Sequence, residues 1–256
     1  MDAERQRQMI LDQFTRQAIP FTELPAHSEE ASNRLVIETA GITPNDTVLD
    51  VACGPGLITC EIAAIARRVT GIDLTPAMIE QAEKRQSSKG LANMDWRIGD
   101  VTVLPFDDAS FSSVVTRYSF HHLLDPKAVL AEMVRVCQPG GKVTVVDMFT
   151  SSPEQADALN QVERLRDPSH VRALGADELV QLFEDAGLKN VRTEYYKVEM
   201  QVEKILAVSF PNPGDGDKVR QLFRDDVGVN RIGMGAMLKD GAVYYAYPIV
   251  IVVGDK

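Results

Sequence analysis

The segment Val48-Leu-Asp-Val-Ala-Cys-Gly-Pro-Gly56 constrains the fold more than any other. Thr47 to Ala52 is a short, β-branched apolar run, which reads as a strand buried on both faces. Gly54-Pro-Gly56 breaks that run, and Leu57 to Arg68 continues with helical spacing. The same alternation is read along the next ninety or so residues. Val69–Asp73, Met94–Ile98, Ser112–Tyr118 and Lys142–Asp147 read as strands, with helices over Thr75–Lys89 and Pro126–Cys137. Thr75 precedes Pro76 at a first helical position, and Gly90 is the stop. Ser28 to Ala40 reads as an earlier helix ended by Gly41. Strands separated by helices at this spacing pair in parallel through right-handed crossovers, which predicts an open, doubly wound α/β sheet.

The remainder reads less regularly. Ala176 to Ala186 is a helix, Val191–Val198 a strand, and 200–227 one or two helices broken by Pro211-Asn-Pro-Gly-Asp-Gly216. Val243–Val253 closes the chain as a long strand. The expected organisation is a single domain in three parts: N-terminal lid helices over 1–30, a ligand-binding core over 31–150, and 151–256 completing the sheet with cap insertions. With 256 residues, 45% hydrophobic and 25% charged, the composition excludes a disordered or fibrous chain. The net charge of −10, from 27 basic and 37 acidic side chains, argues against nucleic acid as partner. Cys53, Cys60 and Cys137 lie on separate elements and read as small buried hydrophobes, so no metal site is expected. No apolar run reaches the roughly 18 residues needed to cross a bilayer. The charged N-terminus has no apolar leader core, so the expected location is cytoplasmic.

The glycine turn lets a ligand approach the backbone, although such a turn also joins strand to helix without any ligand. Asp73, ending the next strand, reads alone as a helix-capping or surface carboxylate, but together with the glycines as an acceptor for both hydroxyls of an adenosine ribose. The nicotinamide fingerprint requires a third glycine where this chain has Thr59. Asp50 stands within a nearly apolar strand, where a carboxylate needs a partner. It is expected either to brace the turn through backbone N–H groups or to face a cationic ligand.

Taken in order, Asp50-Val-Ala-Cys-Gly-Pro-Gly56, Gly71-Ile-Asp73 and Gly99-Asp100 resemble the class I S-adenosylmethionine-dependent methyltransferases. The similarity is to the type 11 branch, which includes the ubiquinone/menaquinone-biosynthesis methyltransferases. Leu104-Pro-Phe-Asp107, Ser110–Val115, His121-His122 and Val136-Cys-Gln-Pro-Gly-Gly141 extend it over roughly residues 45–148. The resemblance implies a Rossmann-like, seven-stranded, mostly parallel sheet of order 3-2-1-4-5-7-6 whose last strand is antiparallel. It implies S-adenosyl-L-methionine as cofactor. Ala52, Gly54 and Gly56 would line its methionine part, with Asp50 near the ammonium group. Asp73 would hold the ribose, Leu74 and Met78 would pack on the adenosine, and Asp100 and Val101 would meet the adenine. Arg117 would lie beside the methionine moiety.

Methyl transfer from a sulfonium needs positioning and water exclusion, and a base only where the acceptor loses a proton. The expected acceptor is a small molecule with an O-, N- or C-nucleophile. His121 and His122 follow the fourth strand at the ligand-binding edge and are candidates for a base or an acceptor contact; packing and capping are their ordinary alternatives. His27 and Arg16 belong to the implied lid. Arg166-Asp-Pro-Ser-His-Val-Arg172 resembles an acceptor-pocket stretch of related enzymes, which makes His170 and Arg172 candidate contacts along with His27 and Tyr118. Ser169 as a cap and Arg172 in an ion pair are the alternative. Phe210, Phe223, Met234 and Met237 would form an apolar roof, or simply core. Rival readings are an NAD-dependent oxidoreductase, an RNA, DNA or protein methyltransferase, against which Thr116-Arg-Tyr-Ser119 stands where exocyclic-amine nucleic-acid methylators have Asn/Asp-Pro-Pro-Tyr, and a non-catalytic cofactor-binding scaffold. A homodimer is compatible with the sequence, but no heptad marks an interface.

Overall fold

The computed structural model describes residues 2–22 and 30–256. Helices α1 (Ala3–Thr22) and α2 (Glu30–Ala40) precede β1 (Thr47–Val51), α3 (Leu57–Ala63), β2 (Arg68–Asp73), α4 (Pro76–Lys89), β3 (Met94–Ile98) and β4 (Phe111–Arg117). A 3-10 turn, Phe120–His122, leads to α5 (Pro126–Val136) and β5 (Cys137–Thr150). Then come α6 (Pro153–Arg166), the two-residue β6 (Leu174–Gly175), α7 (Ala176–Asp185), β7 (Lys189–Gln201), α8 (Val202–Ser209), α9 (Asp215–Asp226), β8 (Met237–Lys239) and β9 (Ala242–Asp255).

The principal strands are ordered β3-β2-β1-β4-β5-β9-β7, with β1 to β5 parallel and β9 antiparallel to both neighbours. Counting only long strands, this is the expected seven-strand order; β6 and β8 raise the total among the described residues to nine. The order reverses between β1 and β4, which opens a crevice at their carboxyl ends, where such sheets bind ligands.

The period of two along each strand divides the core into two layers. Val48, Val146, Ile249 and Ile251 enter one cluster, while Leu49, Val51, Val145, Val250 and Val252 enter the other. Each such fully buried side chain contributes roughly 1.5–3 kcal/mol, so the register is strongly held.

Several elements differ from the sequence reading, three of them for a clear local reason. The helix after the glycine turn stops at Ala63, because Arg67 and Arg68 donate their backbone N–H groups to the Asp46 carbonyl and start β2. Strand β5 begins at Cys137 and carries Pro139-Gly-Gly141 within it. Helix α6 was not anticipated, although Ser152 caps it, accepting from Gln155 N at 3.3 Å, and Pro153 occupies its first position. No helix among the described residues is long and apolar enough to cross a membrane.

Candidate active site

The turn after β1 holds three left-handed residues within five, at Ala52, Gly54 and Gly56 (φ 57°, 53° and 73°). A Cβ on Gly56 would stand 2.9 Å from the Trp96 ring, so that position excludes larger residues. A Cβ on Gly54 would meet nothing within 4 Å, because Gly54 faces a 440 Å³ cavity. Ala52 adopts this conformation without glycine's freedom, and such strain is retained where surrounding contacts dictate it.

Asp73 shapes the turn. Its Oδ2 accepts from Gly54 N at 2.8 Å and its Oδ1 from Thr75 N at 2.8 Å, which leaves lone pairs on both oxygens. Burial pushes its carboxyl pKa up, against the lowering effect of those N–H groups. The turn is therefore braced by Asp73, not by Asp50. Asp50 instead accepts at Oδ2 from the Thr59 hydroxyl (2.5 Å), and its Oδ1 is buried without a partner among the described residues. Desolvation pushes its pKa up to about 7, offset in part by Thr59 and the Arg117 charge.

Most of the expected cofactor residues converge on this cavity. Asp50 and Asp73 line it from β1 and β2, Ala52 and Gly54 from the turn after β1, Leu74 and Met78 from just before α4 and its first turn, and Asp100, Val101 and Arg117 from the loops and strand end opposite. Gly56 is not on its wall; it turns the chain into α3. Asp100 accepts from Thr102 N at 2.9 Å and stands 3.6 Å from Arg7 of α1. Helix α1 covers the cavity through Ala3, Gln6, Arg7, Ile10 and Phe14. Gln6 Nε2 donates to the carbonyls of His122 (2.9 Å) and Ser169 (2.7 Å).

A smaller void of 60 Å³ adjoins the cavity, sharing Phe14, Tyr118 and His122 with it and reaching His121, Met148 and Arg166. Tyr118 is another left-handed residue (φ 59°), and its hydroxyl meets that of Tyr196 at 2.7 Å. His121 Nδ1 lies 2.6 Å from Asp147 Oδ1, and Asp147 Oδ2 accepts from the His121 backbone N–H at 3.0 Å. With Nδ1–H given to the carboxylate, Nε2 is the basic nitrogen. The neighbouring His122 places Nδ1 3.1 Å from both the carbonyl and the hydroxyl oxygen of Ser169. That hydroxyl donates to Asp167 Oδ1 at 2.6 Å, so His122 Nδ1 is a donor and its Nε2 is unprotonated. Burial and the neighbouring His121 push His122 down to about 4.

The other acceptor candidates are placed differently. His170 is buried behind the histidine pair, its ring 5.4 Å from that of His121, and Nε2 is 2.8 Å from Asn160 Oδ1; it lines neither space. Arg172 is on the surface in a bidentate pair with Glu178 (2.8 and 2.6 Å), the ion-pair alternative. His27 lies outside the described residues. Phe223 stacks on Tyr245 at 4.3 Å and Met234 is buried, both as core, while Met237 is exposed on the edge strand β8. Phe210 packs under Arg16 and reaches neither space. The roof is α1, and Ile205 is what α8 contributes to the inner void. Cys53 lines the cavity with its thiol pKa raised by burial. No group of three or more His, Cys, Asp or Glu among the described residues is arranged to hold a metal ion. Sequence reasoning passed over Gln6 and Asp147, and noted Thr59 only as a departure from the nicotinamide fingerprint. Asp147 carried a signal, an acid ending an apolar strand just as Asp50 and Asp73 do.

The family model described as "Methyltransferase domain" matches residues 49–145. The chain is 30% identical over 171 residues to the uncharacterized methyltransferase YcgJ of Bacillus subtilis, covering 66% of this chain and 68% of that protein. It is 36% identical over 114 residues to the demethylmenaquinone methyltransferase of Renibacterium salmoninarum, covering 44% of this chain and 46% of that one. The crystal structure of YcgJ superposes with a TM-score of 0.81 at 24% identity, over 89% of this chain and 99% of its own. The nicotinamide reading gains nothing from these relationships, and Thr59 at the fingerprint's third glycine is instead committed to Asp50. With the Bacillus relationship extending over two thirds of that enzyme and the strand order in agreement, the chain belongs to the type 11 class I S-adenosylmethionine-dependent methyltransferases.

Proposed function

We propose that this methyltransferase carries a methyl group from S-adenosylmethionine to a small molecule whose nucleophile is a hydroxyl or an acidic carbon. The observation that carries the acceptor class is the His121–Asp147 dyad at the inner void adjoining the covered cavity. A carboxylate holding one imidazole nitrogen turns the other into an oriented base, worth about 10²–10⁴-fold in rate. An amine lone pair or a thiolate would leave such a base without work. The roof formed by α1 favours a small acceptor over a polymer.

The residues present fit the cofactor. Asp50 Oδ1 is a buried oxygen with no hydrogen-bond donor among the described residues, and an ammonium group supplies one. Asp73 retains lone pairs for two ribose hydroxyls after bracing Gly54 and Thr75. Leu74 and Met78 offer apolar surface to an adenosine, with Asp100 and Val101 at its polar edge. Bound there, the cofactor supplies a methyl group on a sulfonium, already activated for in-line displacement.

The chain's own contribution is then positional and protonic. His121 Nε2 takes the acceptor's proton, and Asp147 stabilises the imidazolium that results. His122, held neutral, presents Nε2 as a hydrogen-bond acceptor that orients the substrate. Helix α1 excludes water, fastened through Gln6 to the His122 and Ser169 carbonyls. The test is incubation with methyl-labelled cofactor and a fractionated metabolite extract, with mass identification of the product. O- or C-methylation of a small compound supports the proposal; label in an amine, a thiol or a polymer, or none at all, contradicts it.

A further inference from the structure

Helix α2 buries Val36, Ile37 and Ala40 against the sheet, and on the same side it buries a polar residue, Asn33, only 5% exposed. A buried amide needs a partner, and Asn33 Oδ1 accepts from Arg117 Nη1 at 2.8 Å. Arg117 follows Thr116, which pairs with Val51, so it stands beside Ala52 at the β1–β4 crevice. Its guanidinium carbon lies 5.0 Å from the Tyr118 ring centroid. Amide and ring thus hold the guanidinium from two directions at the cavity wall it shares with Asp50.

Asp50 and Arg117 place an anion and a cation at one end of the cavity, which complements a zwitterionic amino-acid group. Asn33 is neutral, and this is chemically apt. An aspartate at position 33 would add a negative charge beside the guanidinium, whereas an amide oxygen orients it without adding one.

We propose that Asn33 is a positioning residue for the amino-acid end of the methyl donor, holding the Arg117 guanidinium ready for the donor's carboxylate while Asp50 takes the ammonium. The proposal rests on the cofactor reading above.

Calorimetry with two probes tests it: S-adenosylhomocysteine, and 5′-methylthioadenosine, which lacks the amino-acid end. Asn33→Ala should weaken the first by about tenfold and leave the second unchanged. Asn33→Asp should weaken the first at least as much, despite retaining the hydrogen bond. In an Arg117→Gln background, Asn33→Ala should add nothing. Equal losses for both probes, no loss for either, or additive losses would overturn the proposal, since a merely structural role of Asn33 moves both probes together. Thermal melts of each variant without ligand verify that it folds. A wild-type protein that binds neither probe overturns the cofactor reading itself, which separates the two failures.

Discussion

Replacing Asp73 with asparagine probes both roles of this carboxylate with almost no change of volume. The native side chain accepts one backbone N–H on each oxygen, from Gly54 and from Thr75, both at 2.8 Å. Asparagine has one carbonyl oxygen, so one of those N–H groups would face the amide NH2 with no acceptor. Losing a hydrogen bond to a charged group and stranding its donor costs about 2–4 kcal/mol. Removing a carboxylate whose ionisation burial disfavours returns part of this. The net loss of stability should be about 1–3 kcal/mol, lowering the melting temperature by roughly 2–10 °C for a chain of this size. The ribose hydroxyls lose a charged acceptor as well, so S-adenosylhomocysteine should bind about 30–100-fold more weakly. Differential scanning calorimetry of the ligand-free variant and isothermal titration with the ligand measure the two effects separately. A melt within about 1 °C of wild type together with an affinity within about threefold would refute both the bracing and the ribose argument.

Asp50 links folding and binding to pH. Its pKa in the folded protein is raised to about 7 from an ordinary 3.8, so its stabilising contribution is complete below about pH 4 and is lost as pH rises through 7. Asp50→Asn, which keeps an acceptor for Thr59, should flatten that part of the ligand-free stability curve in urea titrations at successive pH values. Near pH 6 the donor's ammonium should draw Asp50 into its ionised form, so S-adenosylhomocysteine should bind with release of up to about one proton; titration in buffers of different ionisation enthalpy reads this directly. His121→Ala and Asp147→Asn should each lower kcat by about 10²–10⁴-fold while leaving S-adenosylhomocysteine affinity unchanged. The conserved affinity in those two variants is the part that a collapsed site could not reproduce. His122 has its pKa depressed to about 4, so its share of stability is complete above pH 6.5 and is lost as pH falls through 4; His122→Phe should remove that acid sensitivity in thermal melts. Gly56→Ala should destabilise by about 1–2 kcal/mol from its left-handed backbone alone, with further loss from the Trp96 contact, measured by urea unfolding.

The sheet was legible because the strands carry their own signal. Val48, Leu49 and Val51 are apolar on both faces, and the interruptions at Gly54, Gly90 and Pro126 mark where helices begin and end. Strand order came from resemblance, since periodicity says nothing about which neighbours pair. The residues lining the main cavity were legible because they sit within a few positions of strand ends, where sequence proximity and spatial proximity coincide. The inner void was less so. His121, Asp147 and Gln6 come from three separated segments that meet only in the folded chain, and Asn33 sits in a helix that looks like ordinary packing. Arg172 shows the opposite case, a charged residue six positions before Glu178 whose nearest opportunity was a surface ion pair. Helix α1 is hard to read as a roof because its buried side mixes Ile10, Phe14 and Ala18 with Gln6, Gln13 and Gln17, which dock through hydrogen bonds to backbone carbonyls.

A crystal structure with S-adenosylhomocysteine addresses the central claim most directly. The ribose hydroxyls should lie within hydrogen-bond reach of both Asp73 oxygens, with the amino group at Asp50 Oδ1 and the sulfur directed toward the void beside His121. Density for the ligand in another part of the molecule, or in this cavity with its ribose away from Asp73, would contradict it.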